Sequence, residues 1–260
     1  MKVLITNDDG IHAPGIRALL SAVPRSMEVV VAAPASERSA SSHSISLGQK
    51  LRVEEFITDD NIRNYAVHGT PADSVKFAIA AIPGFFPDVV LSGINQGVNT
   101  GISVYYSGTI SAAREGFINR IPAVAVSLCS RAFQDFSASI EISRRILDGY
   151  ASGQLPRNVM LNVNVPPREW DCIRGVKITK QANSRFIEEN ELPPLLNAAD
   201  KDGAIILNVF LKPSLVEEYP EVLQYQGINS PTNTIIQMDE ANKELIWMEL
   251  VKQVKRILIE

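Results

Sequence analysis

The chain has 260 residues, is 45% hydrophobic and 21% charged, and carries a formal net charge of −4. That supplies enough apolar material for one large α/β domain or a domain with an appendage, while the absence of any basic run argues against nucleic acid, duplex included, as the main ligand. Its two cysteines, Cys129 and Cys172, lie far apart, outside metal-ligand or redox spacing, and do not suggest a disulfide framework.

The N-terminus goes straight into an apolar run, Val3-Leu4-Ile5, which predicts a buried strand over 2–6. No signal-peptide core precedes it, and no apolar stretch is long enough to span a bilayer. The expectation is a cytoplasmic protein with no membrane partner. Pro14 suits the first turn of a helix carrying Ile16, Leu19 and Leu20. Val29-Val30-Val31 marks a second strand over 28–33, apolar on both faces as in a parallel sheet. Residues 34–46 are rich in Ser and Ala and read as a loop, followed by short strands over 45–56 and 65–68. Thr70 and Pro71 open a helix as cap and first-turn residue. A strand over 88–91, a glycine-rich loop, a helix over 109–118 and a strand over 123–128 follow, then an amphipathic helix over 137–150.

Alternation of this kind implies a Rossmann-like, doubly wound, mainly parallel α/β sheet with right-handed crossovers. Beyond Pro156 the pattern changes to strands over 159–165, 176–179 and 204–211, with a polar, proline-containing stretch over 187–202 and a closing helix over 241–259. The expected organisation is a Rossmann-like core over 1–165, a C-terminal β excursion over 166–240, and a terminal helix over 241–260 that packs on the core or a partner subunit.

The chemistry collects after the predicted strands. Asp8 and Asp9 stand side by side at the end of the first strand, just before Gly10. Two carboxylates ~4 Å apart repel by about 4 kcal/mol at a near-surface effective dielectric. The pair needs a cation, a shared proton or wide splaying into water. A hard divalent ion is one solution; a solvated turn, for which Asn-Asp-Asp-Gly is suitable, is the other. A serine-rich loop with Ser36, Glu37, Arg38, Ser39 and His43 follows the second strand. The third segment runs from Ser92 through Gly93, Asn95, Gly97 and Asn99 to Gly101, and lacks both the lysine of a P-loop and the dinucleotide fingerprint. Its asparagines suit a metal or a phosphate, or simply turns. The fourth, Ser107, Gly108 and Thr109, brings two hydroxyls and a run of backbone N–H groups to a helix N-terminus, an anion site or a plain cap. Strand ends in a parallel sheet share an edge, so distant segments can converge there. His12 and His43 lie near that edge, where either an acid–base role or a surface role is open; His68 reads as structural. Arg38 and Arg114 are candidate phosphate contacts or surface cations.

Taken in order, Thr6-Asn7-Asp8-Asp9-Gly10-Ile11, Ala33-Pro34 with Arg38-Ser39, Gly69-Thr70-Pro71-Ala72-Asp73, Ser92-Gly93-Ile94-Asn95 with Gly97 and Asn99, and Tyr106-Ser107-Gly108-Thr109 resemble the SurE family of survival-protein nucleotidases. The resemblance runs from Met1 to about Val165, and it implies that residues 1–165 are a catalytic core and that the excursion over 166–240 serves oligomerisation. It implies one divalent metal ion, Mg²⁺ or Mn²⁺, held by Asp8, Asp9, Ser39 and Asn95, with Asp8 and Asp9 catalytic. It places phosphate on Asn99, Ser107, Gly108 and Thr109, and implies a nucleoside monophosphate substrate and a homodimer or homotetramer. The chain departs from the family at Ser103, where an acidic residue is usual, and over 183–231, where the family's late glycine–tyrosine segment is not recognisable. The implied function is metal-dependent phosphomonoester hydrolysis. The alternatives are an exopolyphosphatase or broad phosphatase on the same site, or a nucleotide-binding protein without catalysis.

Overall fold

The computed structural model describes residues 1–58, 62–179, 181 and 204–211. In chain order the elements are β1 (Lys2–Thr6), α1 (Pro14–Ser21), β2 (Glu28–Pro34), β3 (Val53–Ile57), β4 (Arg63–Val67), α2 (Pro71–Ala81), β5 (Val89–Gln96), α3 (Ser103–Tyr106), α4 (Gly108–Ile118), β6 (Ala123–Leu128), α5 (Ser137–Ala151), β7 (Val159–Val165), β8 (Gly175–Thr179) and β9 (Ala204–Leu211). The described strands form one sheet in the order β3-β4-β2-β1-β5-β6-β7-β9-β8. From β4 to β7 every neighbouring pair is parallel; β3 and β9 pair antiparallel with β4 and β7. The expected doubly wound, mainly parallel sheet is present, and β8 and β9 extend it beyond β7. The expected helix over 241–260 and the polar stretch over 187–202 lie outside the described residues.

Strands with near-continuous apolar residues need cover on both faces, and the helices divide accordingly. Val3 and Ile5 of β1 pack with Ile16 and Leu19 of α1 and with Ile142 and Ile146 of α5. Leu4, pointing the other way, packs with Val75 and Ala78 of α2 and with Ile110 and Ala113 of α4. Each fully buried Leu or Ile contributes about 1.5–3 kcal/mol, so the two layers can support a polar edge that is itself unfavourable.

That edge is set by strand order. The chain moves outward from β1 to β2 and β4, then returns to the other side of β1 to build β5, β6 and β7. The loops after β1 and β5 therefore diverge, and a crevice opens at the switch point, where ligands bind in sheets of this type. Asp8 and Asp9 follow β1, and Asn95 lies at the end of β5.

Three elements differ from the sequence expectation. The strand expected over 45–56 is confined to Val53–Ile57. Before it, side-chain bonds replace a ladder: Ser46 donates through its N–H and Oγ to Asp73 at 2.9 and 2.8 Å, and Thr70 Oγ1 donates to the Ser44 carbonyl at 2.8 Å. The strand expected to end at residue 91 continues to Gln96, with its register against β6 shifting between Ser92 and Asn95. Gly93 makes this feasible: its φ is +136°, and a Cβ there would stand 2.3 Å from the Val126 carbonyl oxygen. Finally, the short helix α3 occupies what reads as loop.

Candidate active site

The acid turn is built from the main chain outward. Asn7, fully buried, closes it with a two-way clamp: Nδ2 donates to the Gly10 carbonyl at 2.9 Å, and Gly10 N–H donates to Asn7 Oδ1 at 3.2 Å. The loop after β2 is stitched to the same turn, with Ile11 N–H on the Pro34 carbonyl at 2.9 Å and Arg38 N–H on the Asp8 carbonyl at 2.7 Å. Arg38 thus contributes its backbone to the turn, and Ser39 is delivered one residue further on.

The start of α4 is seated directly on Asp8. Thr109 Oγ1 donates to Asp8 Oδ1 at 2.6 Å across 101 residues of sequence. A Cβ on Gly108 would stand 2.6 Å from Asp8 Cβ and 2.9 Å from its Oδ2, so only glycine lets the helix start approach this closely. Ser107 is the N-cap, its Oγ accepting from Ile110 N–H at 3.1 Å. The first and fourth segments of the sequence are one site. The helix start is thus divided between its own cap and the acid turn: Ser107 serves Ile110 N–H, while the Thr109 hydroxyl and N–H both serve Asp8.

Electrostatics set this turn apart. Asp8 is buried, and burial pushes its carboxyl above the ordinary value of 3.8, partly offset by the Thr109 bond and raised further by the charge of Glu37. Asp9 is half-buried and pushed up to about 6 by burial, then by the charges of Asp8 and Glu37, with Arg131 opposing. Their surroundings thus push both carboxyls toward the neutral form, a penalty on the charged form that a cation would relieve. Among the described residues no cluster of three or more His, Cys, Asp or Glu is arranged to hold a metal. The available donors are two carboxylates with neutral oxygens from serine and asparagine, an all-oxygen set that fits a hard divalent ion such as Mg²⁺ or Mn²⁺.

The neutral donors are held in place. Ser39 Oγ donates to Glu37 Oε1 at 2.6 Å, so Glu37, absent from the sequence-derived site, orients the serine and adds negative charge. Asn95 Nδ2 donates to the Gly97 carbonyl at 2.7 Å, which leaves Oδ1 as its acceptor. Asn99 is buried, with Nδ2 on Ser127 Oγ at 2.9 Å. Arg131, on the loop after β6, was invisible to spacing and enters only through the charge it exerts on Asp9. The histidines take other roles. His12 is exposed and stacks on the Phe56 ring at 5.8 Å, His43 contacts Glu115 at 2.9 Å, and His68 pairs with exposed Glu54 at 2.8 Å. Ser103, the departure from the family pattern, accepts from Thr100 N–H at 3.0 Å and donates back to its carbonyl, so it stabilises a turn. Arg114 is half-buried beside Tyr105.

Residues 3–188 match the family model described as survival protein SurE. The chain belongs to the SurE family. It is 44% identical over 191 residues to the 5′-nucleotidase SurE of Trichormus variabilis, an alignment covering 72% of each chain. It is 41% identical over 225 residues to the 5′-nucleotidase SurE of Thermosynechococcus vestitus, covering 85% of this chain and 82% of the relative. The crystal structure of the SurE protein from Aquifex aeolicus superposes with a TM-score of 0.71 at 29% identity, covering 86% of this chain and all of that one. The SurE match contains the acid turn, Ser39, the 92–101 segment and the start of α4. Among the described residues no helix is long and apolar enough to cross a membrane.

Proposed function

We propose that the protein is a divalent-metal-dependent nucleotidase that hydrolyses nucleoside monophosphates to nucleoside and phosphate. The observation that carries this reading is the seating of the α4 N-terminus on Asp8 through Thr109 and Gly108. It puts an anion cradle and a cation-seeking carboxylate pair in contact, as a phosphate ester and its counter-ion require.

In this reading Asp8, Asp9, Ser39 and Asn95 hold one Mg²⁺ or Mn²⁺ ion. When bound, the ion supplies charge neutralisation and Lewis-acid polarisation of a phosphoryl oxygen. The start of α4, Ser107 to Thr109, binds the phosphate together with Asn99 and stabilises the charge that develops on its oxygens. Gly108 allows the backbone to approach them closely. Thr109 fixes the orientation of Asp8. Water attacks phosphorus and gives up one proton, the bond from phosphorus to the ester oxygen breaks, and the nucleoside oxygen leaves carrying that proton. Asp9 is the carboxylate on the open side of the pair, since Asp8 is buried and already bonded, and we assign it the proton of the attacking water.

The reading extends to a homodimer or homotetramer, which light scattering on the purified protein tests. The activity is tested by phosphate release across nucleoside monophosphates and short polyphosphates, with and without each divalent ion. Asp8→Asn and Asp9→Asn should each abolish divalent-dependent release. Unchanged turnover in both variants would overturn the assignment.

A further inference from the structure

β7 carries two asparagines in a strand whose every residue is buried. Asn162 is 0% and Asn164 1% exposed, and Leu161, Val163 and Val165 on the opposite side pack into the α1–α5 layer. Alternation turns Asn162 and Asn164 to the α4 side, the face of Met160. In the register with β6, Asn164 lies beside Ser127, so a polar patch forms at one sheet edge inside an otherwise apolar layer.

Asn99 lies against that patch. Asn99 N–H donates to Asn164 Oδ1 at 2.8 Å, and Asn164 Nδ2 donates to the Asn99 carbonyl at 3.0 Å. One carboxamide thus pairs with both main-chain groups of Asn99, as a neighbouring strand would. Asn162 Nδ2 adds a second donor to the same carbonyl at 2.9 Å, and Asn162 Oδ1 steadies Asn164 Nδ2 at 3.3 Å. The Asn99 side chain is held in turn by Ser127.

The anchorage is passed on along the chain. Thr100 N–H bonds Ser103 Oγ at 3.0 Å, Ser103 N–H bonds the Thr100 carbonyl at 3.1 Å, and Ser107 N–H bonds the Ser103 carbonyl at 3.0 Å. From Asn99 to the cap of α4 the backbone is a continuous bonded run that starts on β7.

We infer that Asn162 and Asn164 are positioning residues for phosphate-ester hydrolysis: they dock the main chain of Asn99 and thereby set the register of residues 99–107 against the acid pair. Valine or leucine would serve a buried strand at those places, whereas two carboxamides pointing at one backbone serve to fix that backbone. The inference rests on the phosphate role proposed for Asn99 and the α4 start.

The test uses the full chain and three variants. Asn164→Leu removes both main-chain bonds and keeps the branching and the number of side-chain heavy atoms. Asn162→Leu removes one donor from a carbonyl that Asn164 still serves, and provides a folded variant if Asn164→Leu does not fold. Asn99→Ala keeps the docking and removes only the carboxamide. Measurements are kcat and KM for a nucleoside monophosphate, competitive inhibition by inorganic phosphate, Mn²⁺ affinity of the free protein, and amide exchange of residues 97–107. In Asn164→Leu, exchange should accelerate and phosphate inhibition weaken. Since an ångström-scale misplacement costs about 10²-fold, kcat/KM should fall by that order, while Mn²⁺ affinity holds. Asn162→Leu should show a smaller version of the same pattern. Unchanged exchange in the leucine variants overturns the docking itself. Faster exchange with unchanged kcat/KM overturns its role in the reaction. Unchanged phosphate inhibition in Asn99→Ala overturns the phosphate role of Asn99, a failure that the exchange data separate from the other two.

Discussion

Two polar regions meet at the carboxyl edge of the sheet, and they are built on opposite terms. At the acid turn after β1, Asp8 and Asp9 are carboxyls pushed above their ordinary range, first by burial and, for Asp9, by the charge of Asp8, with Glu37 adding to both. At the β6–β7 edge, Asn99, Asn162, Asn164 and Ser127 are neutral and satisfy one another through short bonds. A buried polar group that is satisfied fixes geometry; one that is left wanting a partner selects a ligand. In the proposed reading the first region binds the ion, and the second holds Asn99 in place to face the phosphate.

The sharpest way to break the contrast is to separate the two regions at their junction. Gly108→Ala places a Cβ 2.6 Å from Asp8 Cβ, and Asp8 is held by Thr109 and cannot swing away. Helix propensity favours alanine by about 1 kcal/mol, whereas overpacking costs about 1–3 kcal/mol. Stability should therefore drop by no more than about 2 kcal/mol, while kcat/KM falls by about 10²-fold because the cradle is pushed off the carboxylate. Chemical denaturation and steady-state kinetics on the same preparation check this; wild-type turnover in the alanine variant would show that the close approach has no catalytic role.

Next in size is Thr109→Val, which deletes the hydroxyl that donates to Asp8 and keeps the side chain's shape. Leaving a buried carboxylate without its donor should cost about 1–3 kcal/mol at neutral pH. Asp8 should then titrate at still higher pH, because its bond to Thr109 is the main influence now pulling it down. Denaturation at pH 5 and pH 8 measures both effects: the variant's deficit should be larger at pH 8, because the lost bond favours the charged carboxylate.

The pH dependence of the metal-free protein probes the acid turn without mutation of its neighbours. A carboxyl raised in the fold favours the folded state below its unfolded value and loses that contribution as pH climbs through its folded value. For Asp9 the window runs from 3.8 to about 6. Metal-free protein should lose stability across that interval. Mg²⁺ or Mn²⁺ should restore it, so the metal-induced rise in Tm should grow from pH 4 to pH 6 and level off above. In Asp9→Asn this growth should be much reduced, since the titrating group is gone. A metal effect on Tm that does not change across the window would argue against the carboxylate pair as its site.

What could be read from the sequence follows the same division. Adjacent carboxylates after a strand announce themselves because their repulsion is local, and Ser107-Gly108-Thr109 is visible because a helix start carries its own sequence signal. The doubly wound sheet was legible because apolar runs and helical periods alternate along the chain. Asn162 and Asn164 were read only as strand residues, since their meaning depends on a backbone more than 60 positions away. Glu37 and Arg131 act through space on Asp9, and nothing in their spacing signals it. The extension of β5 past Gly93 was hidden for a similar reason. Ser-Gly reads as a turn until the Val126 carbonyl is known to lie against it.

The smallest effect is expected where a satisfied contact supports the strained region at a distance. The loop carrying Ser39 is pinned by Arg38 to Asp8, by Ser42 N–H to the Tyr106 carbonyl at 3.1 Å, and by His43 to Glu115 at 2.9 Å. Burial pushes Glu115 up, but the His43 bond, the Lys76 charge and Asn119 together bring it below its ordinary 4.5. A lowered carboxyl stabilises the fold above its unfolded value and stops doing so as pH falls through its folded value. His43→Ala should therefore cost about 1 kcal/mol at pH 7, with the deficit shrinking as the pH is brought below 4. Because the other pins remain, KM for metal and substrate should change little. Denaturation curves at pH 7 and pH 3 decide it, and a deficit as large at pH 3 as at pH 7 would mean that His43 contributes packing rather than its bond to Glu115.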